Sequence, residues 1–284
     1  MTGDFVLTLS CSERSGIVNA LTSFLVQHGC DITEHQQFDD PVNGQLFLRT
    51  SFTSPSGTLS ASHLGSAFEP IGAAFGMDWH LHDAARQPRL LIMVSRFDHC
   101  LIDLIYRWRS GTLGAEAVLV TSNHEDMRPM AEAAGLEFVH IPVTAETKPE
   151  AEARLMDLVD THQIDLVVLA RYMQVLSNDL CKQLDGRAIN IHHSFLPSFA
   201  GAKPYHQAYE RGVKFVGATA HYVTADLDEG PIIEQEVIRV DHRLSPDGLV
   251  TLGRDAERIA LARAVAWHSQ HRVLLNGNRT VIFD

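Results

Sequence analysis

The chain has 284 residues, 45% hydrophobic and 20% charged, with a net charge of -12. That composition is ordinary for a soluble globular protein with core enough for two domains, and the acidic excess excludes a phosphate-neutralising nucleic-acid binder. Cys11, Cys30, Cys100 and Cys181 lack Cys-x-x-Cys spacing, no apolar run spans a bilayer, and Met1 to Asp4 lead into no secretion signal; a reduced cytoplasmic protein off the membrane is expected.

In chain order, Phe5 to Leu9 is expected as a strand and Ser12 to Gly16 as a turn. Ile17, Leu21, Phe24 and Leu25 recur at helical spacing, with Gly29 closing that helix. Strands at Asp31 to Phe38 and Gln45 to Phe52 flank the turn residues Pro41 to Gly44. Leu59 to Phe75 is mostly helical, disturbed by Pro70, and Met77 to His82 is a last strand. The order is βαββαβ, a two-layer α+β unit. Asp83 to Pro88 is a linker, placing one domain at 1–84 and another at 85–284.

Beyond the linker, strands and helices alternate. Strands are expected at Leu90 to Val94, Ala117 to Val120, Phe138 to Ile141, Leu166 to Ala170 and Ala188 to His192. The helices between them are Asp98 to Trp108, Glu125 to Ala134 and Glu150 to His162. Continuous apolar strands between helices indicate a Rossmann-like α/β domain with a mainly parallel sheet. A strand at Ile232 to Val240, a helix at Pro246 to His271 and a hairpin turning at Asn276-Gly277 follow.

The chemistry concentrates in Asn190-Ile191-His192-His193-Ser194-Phe195-Leu196-Pro197, in His221, and in Asp228-Glu229-Gly230-Pro231. Asn190 and His192 are two apart and share a strand face, at a strand end where such sheets bind ligands; His193 should face the other side and pack or hydrogen-bond near the pocket. An amide, an imidazole and a carboxylate together polarise a carbonyl and activate water. Asp228 could also be only a turn former, and His221 is explained equally by a core role or a site role. Lys203 reads as a solvated loop lysine or as a partner for an anionic tail. The histidines His192, His193, His206 and His221 lack zinc-site spacing, and no Gly-x-Ser-x-Gly elbow is present, so neither a metal nor a serine nucleophile is expected.

Three ordered blocks resemble the folate-dependent formyltransferase family: Leu169-Ala170-Arg171-Tyr172-Met173-Gln174-Val175-Leu176-Ser177, the Asn190 to Pro197 block, and His221-Tyr222-Val223 leading to Leu227-Asp228-Glu229-Gly230-Pro231. Residues 1 to about 84 resemble an ACT domain, a ferredoxin-like ligand-sensing module. The pair together resembles the deformylase branch of that family. The resemblance implies catalysis by Asn190, His192 and Asp228. It implies substrate binding by Tyr172, Met173, Gln174, Val175 and Leu176 through backbone groups, with His221 and Lys203 nearby. Transformylases of this group commonly carry Arg where this chain has Gln174.

The implied reaction is hydrolysis of 10-formyltetrahydrofolate to tetrahydrofolate and formate, supplying formate for purine synthesis and balancing one-carbon folate pools. The folate is the substrate and no cofactor is implied. The alternatives are transfer to an unidentified amine, or a non-catalytic folate- or amino-acid-binding regulator. The ACT module implies a homo-oligomer with an amino-acid effector near Ser12 to Gly16, or a purely structural dimerisation domain. The residues of one loop favour water as the acceptor. The loop Ser95 to Cys100, where ribonucleotide transformylases cradle a phosphate on glycine, has no glycine. Asp98 there is expected to cap the helix and occupy the N–H groups a phosphate needs.

Overall fold

A computed structural model describes residues 3–54, 59–196 and 204–284. The chain forms two compact units, Met1–Gln87 with Gln270–Asn276 and Val281–Asp284, and Pro88–Ser269 with Gly277–Thr280.

The first unit begins β1 (Gly3–Ser12), α1 (Ile17–Gln27), β2 (Asp31–Asp40), β3 (Gln45–Ser54), α2 (Ala61–Phe75) and β4 (Asp78–Asp83). The sheet order β2-β3-β1-β4, antiparallel throughout, is the ferredoxin-like arrangement expected. Period-two alternation puts Leu7, Leu9 and Leu48 on one face, against Leu21 and Leu25 of α1 and Phe68 of α2. Pro70 does not break α2, which runs from its Ser60 cap to a left-handed Gly76.

The second unit contains β5 (Arg89–Val94), α3 (His99–Arg109), β6 (Glu116–Ser122), α4 (Arg128–Ala133), β7 (Glu137–His140), α5 (Lys148–Thr161), β8 (Leu166–Leu169), α6 (Asn178–Gln183), β9 (Ala188–His192), α7 (Pro204–Glu210), β10 (Phe215–Tyr222), β11 (Ile232–Arg239) and α8 (Pro246–Ser269). Its seven strands lie in the order β11-β10-β9-β8-β5-β6-β7. Five are parallel, and β10 and β11 add antiparallel pairs at one edge. The chain winds from β5 toward β7, then restarts at β8 and winds the other way. The crevice at the carboxyl ends of β5 and β8 is therefore the switch point where such sheets bind ligands. The helices α6 and α7 and the strand β10 were not expected from sequence. The β10 run Val216-Gly217-Ala218-Thr219-Ala220 has weak strand propensity, and pairing on both sides supplies what propensity does not.

After α8 the chain returns to the first unit, and β12 (Val273–Asn276) and β13 (Arg279–Ile282) form a hairpin. Leu274, Val281 and Phe283 pack on Phe47 of β3. The buried Arg49 donates to the carbonyls of His271 and Gln270, both at 3.2 Å, and pairs with Glu34 at 2.6 Å. A linear division at residue 84 does not capture this return. Among the described residues, no helix is long and apolar enough to cross a membrane.

Candidate active site

The site is built on β9 and β10. Their antiparallel register sets His221 opposite Asn190 and Thr219 opposite His192, so all four side chains share one face. The β10–β11 ladder shifts register between Ala220 and His221, a bulge of the kind that re-aims a side chain. His221 Nδ1 lies 2.8 Å from the Tyr222 carbonyl, which can only accept, so Nδ1 carries the proton. Its Nε2 faces Asn190 Nδ2 at 3.3 Å.

The carboxylate comes from the β10–β11 connection. Asp228 sits at φ 58°, a left-handed conformation uncommon outside glycine and most tolerated by Asn and Asp. Its Oδ2 is 3.1 Å from His192 Nδ1, and its Oδ1 is 3.7 Å from His221 Nε2. Burial pulls the Asp228 carboxyl upward, but the hydrogen bond from His192 and the nearby His221 imidazole outweigh it and hold the group well below the carboxylate range. Gly230 is required for this geometry: a Cβ there would collide with the Tyr222 carbonyl and crowd the His221 ring. His192 is buried, with Nδ1 on Asp228 and Nε2 unpartnered among the described residues.

A cleft of about 270 Å³ opens beside these residues. Tyr172, Met173, Gln174, Val175 and Leu176 line it together with Asn190, His192, His221 and Asp228. Tyr172 and Leu176 pack against the core, while Met173 and Val175 are exposed at the rim. Ser95 ties the loop to the sheet, accepting from Met173 N–H at 3.0 Å and donating to Asn123 at 2.7 Å. The backbone groups of Gln174, Val175 and Leu176 have no hydrogen-bond partner among the described residues. Free backbone donors and acceptors in a cleft wall are what a heteroaromatic ring with amide-like edges needs. Lys203 lies outside the described residues.

Two expectations are corrected. β9 ends at His192, so strand alternation no longer governs His193; its ring stacks beside that of His192, centroids 5.0 Å apart, and also lines the cleft. Asp98 stands before α3 but makes no side-chain cap bond, because its backbone is already helical (φ -95°, ψ -24°) instead of extended.

Sequence reasoning missed a buried charged cluster beside the site. Glu257 of α8 accepts from His99 Nε2 at 2.7 Å and Tyr205 at 3.0 Å, and pairs with Arg171 Nε at 3.2 Å. Burial opposes ionisation of Glu257, yet its bond to His99 and the Arg171 charge hold its carboxyl below the usual range. Arg171, at φ 65°, is the root of the cleft loop. The one available signal was a lone acid on an otherwise small apolar face, Ala256, Ala260 and Ala264. The donor atoms of His99, Cys100 and Glu257 lie within 4.8 Å of one another, but the carboxylate is already engaged and a cation would oppose Arg171. That set does not suit a metal.

Residues 88–265 match the formyl transferase family model. A protein from Corynebacterium sp. (strain P-1), named formyltetrahydrofolate deformylase, is 56% identical over 277 residues, covering 98% of this chain and 97% of its own. The crystal structure of formyltetrahydrofolate deformylase from Burkholderia mallei ATCC 23344 superposes with a TM-score of 0.95 at 52% identity, covering 99% of this chain and all of that one. Glycinamide ribonucleotide transformylase 1 from Symbiobacterium toebii is similar over 70% of this chain and 95% of its own, at 28% identity and a TM-score of 0.65.

Proposed function

The chain belongs to the formyl transferase family, within it to the formyltetrahydrofolate deformylases, and we propose that Asn190, His192 and Asp228 carry its reaction. That reaction is hydrolysis of 10-formyltetrahydrofolate to tetrahydrofolate and formate. The observation that carries the assignment of residues is the 3.1 Å pair of His192 and Asp228, on the same face as Asn190 and open to the cleft.

The pterin ring lies along Tyr172 to Leu176, held by the free backbone groups of Gln174 to Leu176, and the formyl group reaches Asn190 and His192. The N10 formyl sits on an aryl amine whose ring competes for the nitrogen lone pair, so this amide is weaker than an ordinary one. Asp228 holds the proton of His192 Nδ1, leaving Nε2 toward the formyl oxygen. Water adds to the formyl carbon. Asn190 Nδ2 and protonated His192 stabilise the oxyanion, about 3–4 kcal/mol per donor in comparable sites. The C–N10 bond breaks with protonation of N10.

Full-length similarity to deformylases disfavours transfer to an amine. Incubation with 10-formyltetrahydrofolate and no amine tests the reaction: formate must appear faster than without protein.

We infer further a cytoplasmic enzyme that uses no cofactor beyond the folate substrate and feeds formate to purine synthesis, with Lys203 toward an anionic folate tail and a homo-oligomeric ACT module at 1–84 that binds an amino acid. Light scattering, and rates with and without amino acids, test the last.

A further inference from the structure

Resting on the deformylase reading, we propose that His193 is a fourth catalytic residue, the one that seats and orients the attacking water. The cleft wall carries two imidazoles side by side, those of His192 and His193, their planes inclined by 29°. His192 is committed through Nδ1 to Asp228, and in the proposed reaction its Nε2 is the one assigned to the formyl oxygen. His193 makes no hydrogen bond among the described residues, although its ring stacks on that of His192 and has the Tyr205 ring 6.5 Å away. A polar ring fixed by stacking, with nitrogens uncommitted, on the wall of a catalytic cleft is available to a small polar ligand.

The surroundings settle the protonation state. Burial, then the charges of Arg171 and His192, push the His193 pKa down to about 4, with Glu257 and Asp228 opposing. At neutral pH the ring is therefore neutral, with one nitrogen lone pair that accepts a hydrogen bond from water. A cationic ring would offer only donors and would hold the water with its lone pairs turned toward the ring, away from the carbonyl carbon. So weak a base orients the water and does not keep its proton. The water oxygen bonds to the formyl carbon, and the carbonyl π pair moves onto the oxygen beside Asn190 and His192. The released proton passes to the Asp228–His192 pair. N10 takes a proton as the C–N10 bond breaks, leaving formic acid, which ionises. The Arg171 guanidinium, paired with Glu257, adds to burial in disfavouring the charged ring.

The test compares His193→Ala, His193→Asn and His193→Phe with wild type in the amine-free formate assay. The wild-type rate alone decides whether the protein is a deformylase; the variants decide the role of His193. His193→Phe keeps a stacked ring and removes the lone pair. It and His193→Ala should lose about 100-fold in kcat with KM within about threefold. Imidazole should restore part of the rate to the Ala variant and none to the Phe variant, and His193→Asn should retain more activity than either. If the Ala variant does not fold, the Phe and Asn variants carry the comparison. A wild-type kcat in His193→Phe, or a loss confined to KM, overturns the proposal, because either result reduces His193 to packing.

Discussion

Replacement of Asp228 by Asn isolates the charge of the site with little change in shape. Asn tolerates the left-handed φ of 58°, so the turn before Gly230 should survive. The amide oxygen can still accept from His192 Nδ1, now at 3.1 Å from a carboxylate oxygen, and the tautomer is kept. What disappears is the negative charge facing both His192 and, at 3.7 Å, His221. A charge-assisted hydrogen bond contributes about 1.5–3 kcal/mol against about 1 for a neutral one. In addition, the proton of the attacking water loses its acceptor, a general-base contribution of about 10²–10⁴. The combined expectation is a kcat reduced about 10³-fold, about 4 kcal/mol at 1.36 kcal/mol per decade, with KM nearly unchanged because the Tyr172 to Leu176 loop is untouched. Formate release without amine is the assay, with folate binding measured separately. A variant keeping more than about a tenth of the wild-type kcat would remove Asp228 from the mechanism. Stability supplies an independent check. The folded-state pKa of Asp228 lies below its ordinary 3.8, so its contribution is present above that pH and is lost as pH falls below it. The Asn variant should lack that acid-side loss.

Other substitutions test the supports of the site. Glu257→Gln leaves Arg171 and His99 without their carboxylate in a buried position; a cost of about 3–5 kcal/mol and a melting temperature lower by roughly 10 °C are expected, and an unchanged melting curve would contradict the cluster. Gly230→Ala should fold its sheets yet lose activity, since the added Cβ displaces the Asp228 turn from His221; full activity would show that the close approach is relaxed at no cost. In the first unit, the His82 ring stacks on His271 at 3.5 Å, and burial, then His271, His80 and Arg86, lower its pKa from 6.5 to about 3. The unfolded chain therefore binds a proton that the fold rejects, and stability should fall as pH drops from 6.5 toward 3, by up to about 1.4 kcal/mol per pH unit. His82→Phe keeps a stacking ring without titration. Denaturation across that range should be flatter for it, and an equal slope would refute the assignment.

Legibility differed between parts of the site for physical reasons. Asn190, His192 and Asp228 could be read because each sits in a short block whose local geometry is its own: a two-residue strand period, and a turn bounded by Gly230 and Pro231. The bulge that aims His221 and the left-handed Asp228 backbone are also local, but they depend on how β10 pairs with β9 and β11, and β10 itself was not anticipated. The place of His193 near the pocket was anticipated, but its face was misread because the strand ends one residue earlier than alternation assumes. Asp98 carried an argument about capping that its helical backbone removes.

By itself the sequence determined the two grammars of the chain, βαββαβ and then alternating strands and helices, together with the residues bearing amide, imidazole and carboxylate. Periodicity and turn chemistry are short-range properties, written in neighbouring residues. Only the tertiary structure decided the rest: that Glu257 reaches Arg171, His99 and Tyr205, that Arg49 grips the returning chain at Gln270 and His271, and that His193 lies beside His192. Most of these contacts join residues far apart in sequence, so their register is set by sheet order and helix packing and no local pattern records it.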